Sequence, residues 1–213
     1  MELSETPQLI VALTISSYWI CVAIMSIRSR IKYRVPSGSL PKTRMEKRMW
    51  LLWVPTIVAW IALSWNTTNQ VSQWLSNTGS SSMFAAWQAI VWVATIGTVT
   101  AFAMTTRCWL RMGKNWSMAV RPDKETELIT DGMFSAIRHP IYTFSLLLMI
   151  GTLIVNCGWP MLLVASIHCS MLVIKSWSEE KYLAKVHGQQ YSEYLARTNR
   201  FIPVRAVWNY CVR

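Results

Sequence analysis

Long apolar stretches dominate this sequence and restrict what it can fold into. A helix needs about 20 mainly apolar residues to cross the ~30 Å hydrocarbon core of a bilayer, and five stretches of roughly this kind can be drawn. With 53% hydrophobic and only 15% charged residues, the composition is typical of a membrane protein. We therefore predict an all-α fold, a polytopic membrane helical bundle of about five transmembrane helices followed by a cytosolic C-terminal helix. The predicted spans are Gln8 to Ile27, Met49 to Trp65, Met83 to Thr106, Pro140 to Val155 and Pro160 to Trp177.

The positive charges are confined to alternate connections between these spans. All 21 Lys and Arg residues fall within residues 28–48, 107–138 and 175–213, in groups of eight, six and seven. Because cytosolic loops carry the excess of Lys and Arg, this pattern predicts an outside amino terminus and a cytosolic carboxy terminus. We interpret the net charge of +11 as a consequence of this topology, and we expect contact with membrane lipid and no binding of nucleic acid.

The 213 residues are interpreted as a single membrane domain with two parts. Residues 1–106 hold three N-terminal spans, and residues 107–213 hold a loop, a helical hairpin and a tail. Span three carries Ala94, Gly97 and Ala101 on one helix face, a spacing that favours close packing within the chain or with a second subunit. The five cysteines show no CxxC spacing and no histidine at a metal-ligand distance in sequence, so we expect no metal site.

Charged and aromatic residues gather at the two ends of the hairpin formed by spans four and five. The sequence RHPIY at positions 138–142 comes just before span four, and Glu179-Glu180 comes just after span five. Pro140 is suited to open a helix, and the two spans are of similar length, so the return helix brings both carboxylates back to the level of His139. Interfacial anchoring explains single cations and tyrosines. It does not explain paired carboxylates opposite a His-Pro-x-Tyr segment, so we predict a site here.

The chemistry of S-adenosylmethionine matches this set of residues. Carboxylates can bind its ammonium or ribose hydroxyls, Arg or Lys can bind its carboxylate, and an aromatic ring can face its sulfonium. Methyl transfer then needs in-line alignment and exclusion of water, which a membrane cavity supplies. No GxG occurs in the sequence, so the glycine-rich cradle of Rossmann folds is absent. Composition and spacing alone leave the cofactor open.

His168 falls midway along span five. An ionisable group is costly at this depth and usually faces the interior of the helical bundle. We interpret His168 as a neutral, hydrogen-bonded packing residue.

Three motifs follow one another between residues 127 and 203. They are ELITDGMFS at positions 127–135, RHPIY at 138–142, and a longer pattern that runs from Glu179-Glu180 through Leu183, Gly188, Tyr191 and Tyr194 to RFIP at 200–203. In this order the motifs resemble the isoprenylcysteine carboxyl methyltransferase and phospholipid methyltransferase superfamily of integral membrane proteins. The resemblance implies an enzyme that transfers a methyl group from S-adenosyl-L-methionine to a lipophilic acceptor at the cytosolic face.

The resemblance also implies roles for individual residues. The hairpin and tail would wall the cofactor site, the stretch from Leu128 to Gly132 would lie against the adenosyl part, and the acceptor would enter laterally between helices. His187 stands where the family commonly has an aromatic residue, and we include it in the cofactor site. The implied cofactor contacts are His139, Tyr142, Glu179, Glu180, Leu128, Gly132 and His187, and the implied catalytic residues are Arg138, Lys175 and Asn156.

The acceptor and two other activities stay open at this point. Thr143-Phe144 replaces the glycine that family members usually have after the tyrosine, so the shape of the acceptor tunnel is open. A prenylated cysteine carboxylate, a phospholipid amine and a small thiol are all candidate acceptors, and we favour a lipidic one. A membrane reductase of sterol-reductase type that uses NADPH is an alternative, although those chains are usually much longer. A haem-handling protein is a further alternative, but the three histidines form no pair on one helix face.

Overall fold

The computed structural model describes residues 5–33, 44–66, 69–79, 81–116 and 127–204, and they form a helical bundle. Single 3-10 turns occur at Gly113–Asn115 and Gly132–Ser135. The α-helices are α1 (Thr6–Tyr33), α2 (Arg44–Ser64), α3 (Gln70–Asn77), α4 (Ser81–Met112), α5 (Pro140–Val155) and α6 (Trp159–Arg197).

The predicted all-α membrane bundle is confirmed. Helices α1, α4 and α6 contain segments that are long and apolar enough to cross a membrane, while α2 and α5 are shorter apolar helices. These five helices correspond to the five predicted spans, and α5 has the predicted boundaries. The connection between α1 and α2 lies at residues 34–43, outside the described residues. The orientation of the termini stays a prediction.

Two elements differ from the sequence-based prediction. The polar connection after α2 contains the short helix α3, whose first turn is capped because the Asn69 side chain accepts a hydrogen bond from the Ser72 backbone N–H. The predicted C-terminal helix is not separate, because it continues from span five as the second half of α6. Gly188 has φ of 49° and ψ of −120° and makes a kink within α6. Glycine adopts this left-handed φ without steric cost.

Helices α4 and α5 pack closely because a glycine of α5 lies against α4. A Cβ atom added at Gly151 would meet Thr98 Oγ1 at 2.0 Å and the Ala94 carbonyl oxygen at 3.1 Å. Ala94 therefore takes part in the predicted close packing, and its partner is within the chain. Ala101 is buried in the bundle. Gly97 does not, because a Cβ at that position would meet nothing within 4 Å. Contact of span three with a second subunit stays a prediction.

The segment after α6 folds back onto the start of α5. The Arg138 backbone N–H donates to the Asn199 carbonyl at 2.8 Å, and the His139 N–H donates to the Arg200 carbonyl at 3.2 Å. The Tyr194 hydroxyl donates to the Phe134 carbonyl at 2.6 Å and fixes the second half of α6 against the preceding loop. The kink at Gly188 and these contacts place the tail beside the predicted site.

Candidate functional site

The first turn of α5 positions an imidazole and a phenol side by side. His139 is the residue before the helix, Pro140 is its first residue, and Tyr142 follows within the first turn. The two aromatic rings are stacked, with centroids 5.3 Å apart and planes 5° from parallel. The predicted proximity of His139 to the acidic pair is also present, because its Nε2 lies 3.2 Å from Glu180 and its Nδ1 lies 3.8 Å from Glu179.

Glu180 is the centre of a network of ion pairs. Its Oε1 accepts hydrogen bonds from Arg138 Nε and Arg200 Nε at 3.0 Å each, and its Oε2 accepts from Arg200 Nη2 at 2.6 Å. Arg138 also donates to the Thr198 carbonyl. Two guanidinium groups and one imidazole therefore engage a carboxylate whose side chain is 11% exposed. Charge-assisted contacts of this kind are strong and geometrically specific.

Glu179 has a different environment, although it is the next residue. Adjacent residues on a helix point about 100° apart. Glu179 accepts a hydrogen bond from the Tyr142 hydroxyl and borders a large cavity, whereas Glu180 does not line that cavity. The geometry therefore favours Glu179 over Glu180 for direct contact with a ligand, and it gives Glu180 the role of holding Arg138, Arg200 and His139 in place.

The cavity lies between the first turn of α5, the middle of α6 and the helices α1, α2 and α4. Its volume is about 1370 Å³, including the part that is open to solvent. Aromatic and aliphatic side chains form most of the wall, among them Trp19, Trp53, Trp109, Trp116, Phe134 and Leu172.

Lys175 contributes a positive charge to the wall of this cavity. The residue is 9% exposed, and its ammonium lies 4.8 Å from the ring centre of Trp53 and 5.6 Å from that of Tyr142. Aromatic faces attract cations through the ring quadrupole. Lys175 therefore lies beside Tyr142 and precedes Glu179 by about one turn of α6.

The stretch from Leu128 to Gly132 borders the site only in part. Leu128 lines the cavity, whereas Gly132, with φ of 57°, forms the turn before Phe134 and does not line it. On the outer side of this turn, Asp131 forms an exposed ion pair with Arg111. The hydrogen bond from the Arg111 guanidinium lowers the pKa of the Asp131 carboxyl from its ordinary value.

Two other predicted site residues lie away from the cavity. Asn156 follows the last residue of α5, at the far end of the hairpin from His139, and its side-chain amide donates to the carbonyls of Ser64 and Asn66. His187 lies just before the kink in α6 and is not part of the cavity wall. The structure gives Asn156 a role in joining helix ends, and we do not carry it or His187 forward as site residues.

Some residues of the site were not assigned by sequence reasoning. Arg200 belongs to the quoted RFIP motif, but only the folded tail shows that it reaches Glu180. Trp53 and Ser145 also line the cavity, and they come from predicted spans in which tryptophan and serine are unremarkable. No local signal in the sequence would have selected them.

Comparisons with known proteins find similarity to methyltransferases. Residues 89–190 match the family model described as phospholipid methyltransferase. Protein-S-isoprenylcysteine O-methyltransferase of Xenopus laevis is 26% identical over 144 residues, which cover 64% of this chain and 50% of that protein. The protein of the same name from Tribolium castaneum is 27% identical over 144 residues, or 64% and 51% of the two chains. Protein-S-isoprenylcysteine O-methyltransferase B of Arabidopsis thaliana is 29% identical over 89 residues, or 39% and 43%.

The predicted resemblance to the isoprenylcysteine carboxyl methyltransferase and phospholipid methyltransferase superfamily is confirmed. The family match starts within α4 and ends just after the kink at Gly188, so it includes the whole hairpin and the Glu179-Glu180 pair. The chain spans about half the length of the curated relatives it matches. Their names describe methyl transfer to an isoprenylated cysteine, and that description applies to those proteins.

Proposed function

We propose that this membrane protein is a methyltransferase that uses S-adenosyl-L-methionine and modifies a lipophilic acceptor. One observation carries the proposal: His139, Tyr142 and Glu179 meet at one cavity, and most of the other side chains in its wall are aromatic or aliphatic. The family match and the methyltransferase relatives favour methyl transfer over the NADPH-dependent reductase that the sequence left open. We propose further that this end of the hairpin faces the cytosol, in agreement with the positive-inside pattern.

The residues at the cavity fit the polar groups of this cofactor. Glu179 offers a carboxylate to an ammonium or to ribose hydroxyls, and Arg138 offers a guanidinium to a carboxylate. The rings of Tyr142 and His139 offer aromatic faces beside a sulfonium. The Tyr191 hydroxyl lines the same region, is buried, and has no hydrogen-bond partner among the described residues. A buried hydroxyl of this kind is normally paired, so a ligand atom is a natural partner.

The protein has little chemistry of its own to perform in such a reaction. S-adenosylmethionine, when bound, supplies a methyl group on a positively charged sulfur. The chain holds the two reactants in line and excludes water with tryptophan and leucine side chains. Lys175, on the apolar side of Tyr142, is placed to orient the acceptor. The apolar wall supports a lipidic acceptor, such as a prenylated cysteine or a phospholipid, over a small thiol.

Calorimetry with the purified chain in detergent tests the cofactor assignment. We expect Glu179→Ala to weaken binding of S-adenosylmethionine by about 10- to 100-fold, because a hydrogen bond to a charged group contributes roughly 1.5–3 kcal/mol. Glu193→Ala is the matched control, since Glu193 is an exposed carboxylate of the same helix that contacts Gln189. Equal affinity of the wild type and Glu179→Ala, or no binding by the wild type, would contradict the proposal.

Transfer of a labelled methyl group then identifies the acceptor class. Purified protein is incubated with labelled cofactor and, in separate reactions, a prenylated cysteine, a total phospholipid extract or a small thiol. We expect label in one of the two lipidic reactions. Label only in the small thiol would replace the lipidic acceptor with the thiol and keep the cofactor assignment.

A further inference from the structure

A second polar group borders the cavity at Ser145, further along α5 than Tyr142. Its hydroxyl oxygen is within hydrogen-bond distance of two side chains, the Tyr18 hydroxyl at 3.4 Å and His168 Nε2 at 3.1 Å. Ser145 and His168 are 2% and 1% exposed, so both are enclosed by the bundle. Tyr18 and Ser145 line the cavity, and His168 lies behind them. This cluster has no part in the cofactor contacts described above.

The neighbours of His168 determine which of its ring nitrogens carries the proton. Trp53 Nε1 donates a hydrogen bond to His168 Nδ1 at 3.4 Å. An indole N–H can only donate, so Nδ1 must present its lone pair. A neutral imidazole then has its proton on Nε2, the atom that faces Ser145. His168 therefore donates to Ser145 and, in this form, cannot accept a proton from it.

This arrangement directs the Ser145 proton towards the cavity. A serine hydroxyl has two acceptor lone pairs and one donor hydrogen. Tyr18 and His168 both donate to the Ser145 oxygen, and these two contacts use its lone pairs. The proton of Ser145 is left without an acceptor among the described residues. Because buried donors are normally satisfied, the cavity that Ser145 borders is the direction from which an acceptor oxygen would come.

Lys175 lines the same cavity as this hydroxyl and is linked to it through Trp53. The Trp53 side chain that donates to His168 also presents its ring to the Lys175 ammonium at 4.8 Å. One indole therefore helps to position both a directed hydroxyl and a cation. A neutral hydroxyl donor and an ammonium in the wall of one mainly apolar cavity suit a ligand oxygen that carries negative charge. They do not suit a protonated amine, because the Lys175 ammonium carries the same positive charge.

We propose that Ser145, oriented by His168 and Trp53, binds an anionic oxygen of the acceptor, a carboxylate or a phosphate, together with Lys175. This inference rests on the proposed function, because it assigns the acceptor side of the same cavity. His168 is a positioning residue in this arrangement, since it acts on the acceptor only through Ser145. The subsite therefore prefers acceptors that carry a negative charge at the end that enters the cavity.

Two pairs of ligands test the subsite in the full chain in detergent. The first pair is N-acetyl-S-farnesylcysteine and its carboxamide, and the second is dioleoyl phosphatidate and dioleoylglycerol. Their affinities are measured by calorimetry in the presence of S-adenosylhomocysteine. We expect the wild type to prefer the anionic member of one pair, and Ser145→Ala to reduce that preference about tenfold. Ser166→Ala is the matched control, because its hydroxyl is exposed on α6 and donates to its own helix at the Leu162 carbonyl.

Variants of His168 separate orientation from packing. In His168→Gln the side-chain N–H₂ can take the place of Nε2–H, so we expect the anionic preference to remain within a few fold of the wild type. In His168→Leu the volume is nearly kept but the donor is lost, so the preference should fall as in Ser145→Ala. If both variants lose the preference equally, His168 acts only by packing, and its positioning role is overturned.

The outcomes distinguish this inference from the proposed function. Retained binding of S-adenosylmethionine with an unchanged anionic preference in Ser145→Ala overturns the subsite and leaves the cofactor assignment intact. The absence of an anionic preference in the wild type, in both ligand pairs, also overturns it. If the wild type does not bind S-adenosylmethionine, the proposed function itself is contradicted. A preference in the first pair identifies a carboxylate, and a preference in the second identifies a phosphate.

Discussion

The two ends of the α5–α6 hairpin are both dense in polar contacts, but they differ in what those contacts bind. At the end formed by Arg138, His139, Glu180 and Arg200, here called the charged end, ionic side chains bind one another beside a cavity. At the end formed by Asn69 and Asn156, the amide end, side-chain amides bind backbone carbonyls of neighbouring helices.

The comparison shows that buried polarity alone does not mark a functional site. The amide end satisfies carbonyl groups at helix termini, which otherwise lack partners in an apolar environment. Its contacts are complete within the bundle, except that Asn156 Oδ1 has no partner among the described residues. At the charged end, Glu180 is held by Arg138, Arg200 and His139, whereas Glu179 faces a cavity. We expect substitutions at the two ends to separate stability from ligand binding.

The largest effect is expected for Glu180→Ala at the charged end. Removing this carboxylate leaves Arg138 and Arg200 without their shared partner in a largely enclosed setting, a change that typically costs about 3 kcal/mol or more. Thermal unfolding in detergent should show a clearly lower Tm, and cofactor affinity should fall with it. Glu193→Ala, at an exposed position, should leave Tm unchanged. A stable Glu180→Ala that has lost only cofactor binding would instead make Glu180 a direct ligand.

At the amide end, Asn156→Ala should reduce stability without affecting the ligand. The variant leaves the Ser64 and Asn66 carbonyls without the Asn156 donor, which we expect to cost about 2 kcal/mol. Asn77→Ala is the control, because Asn77 is exposed at the end of α3. Tm and the Kd for S-adenosylmethionine are measured on the same preparation. A weaker Kd at full stability would return Asn156 to the list of catalytic candidates.

A smaller effect is expected from Gly151→Ala, near the amide end of α5. The added methyl group would collide with Thr98 and press on the Ala94 carbonyl, which costs about 1–3 kcal/mol, while the higher helix propensity of alanine returns about 1 kcal/mol. Gly97→Ala meets nothing within 4 Å and should leave Tm unchanged or raise it. If the two variants have the same Tm, the close packing of α4 on α5 does not require a glycine at position 151.

The smallest effect is expected at the exposed ion pair of Arg111 and Asp131. Because the pKa of Asp131 is lowered in the folded chain, any stabilisation is present above the ordinary aspartate pKa and is lost as the pH falls through the lowered value. Solvent screens this pair, so Asp131→Asn should have the Tm of the wild type at pH 7. A large drop in Tm that salt does not reduce would show that the pair supports the neighbouring cavity.

The fold was largely predictable because apolar length is a direct physical requirement for crossing a bilayer. Pro140 marked the start of α5, since proline fits the first turn of a helix. The short helix α3 was missed because it is polar and has only eight residues. The continuity of α6 was missed because a glycine with positive φ can end a helix or kink it, and the choice depends on the tail contacts made by Tyr194.

The sequence predicted at which end of the hairpin the candidate site lies, but it did not predict which side chains face the cavity. Helix lengths placed the acidic pair opposite His139, but they could not tell which carboxylate faces the cavity. That choice depends on the rotation of α6 about its axis and on Arg200, which arrives from the tail. Ser145 and Trp53 were unpredictable for a similar reason, because their relation to His168 spans 23 and 115 residues of sequence.

The tail that closes the charged end has a consequence for how the protein is made. Arg138 is held by the carbonyls of Thr198 and Asn199, about 60 residues further along the chain. A ribosome delivers the hairpin to the membrane before this segment, so the newly inserted helices at first lack Arg200 and the carbonyls that hold Arg138. Insertion of the hairpin and completion of the charged end are therefore separate events. A nascent chain arrested before Arg200 should be embedded in the membrane but should lack a complete charged end.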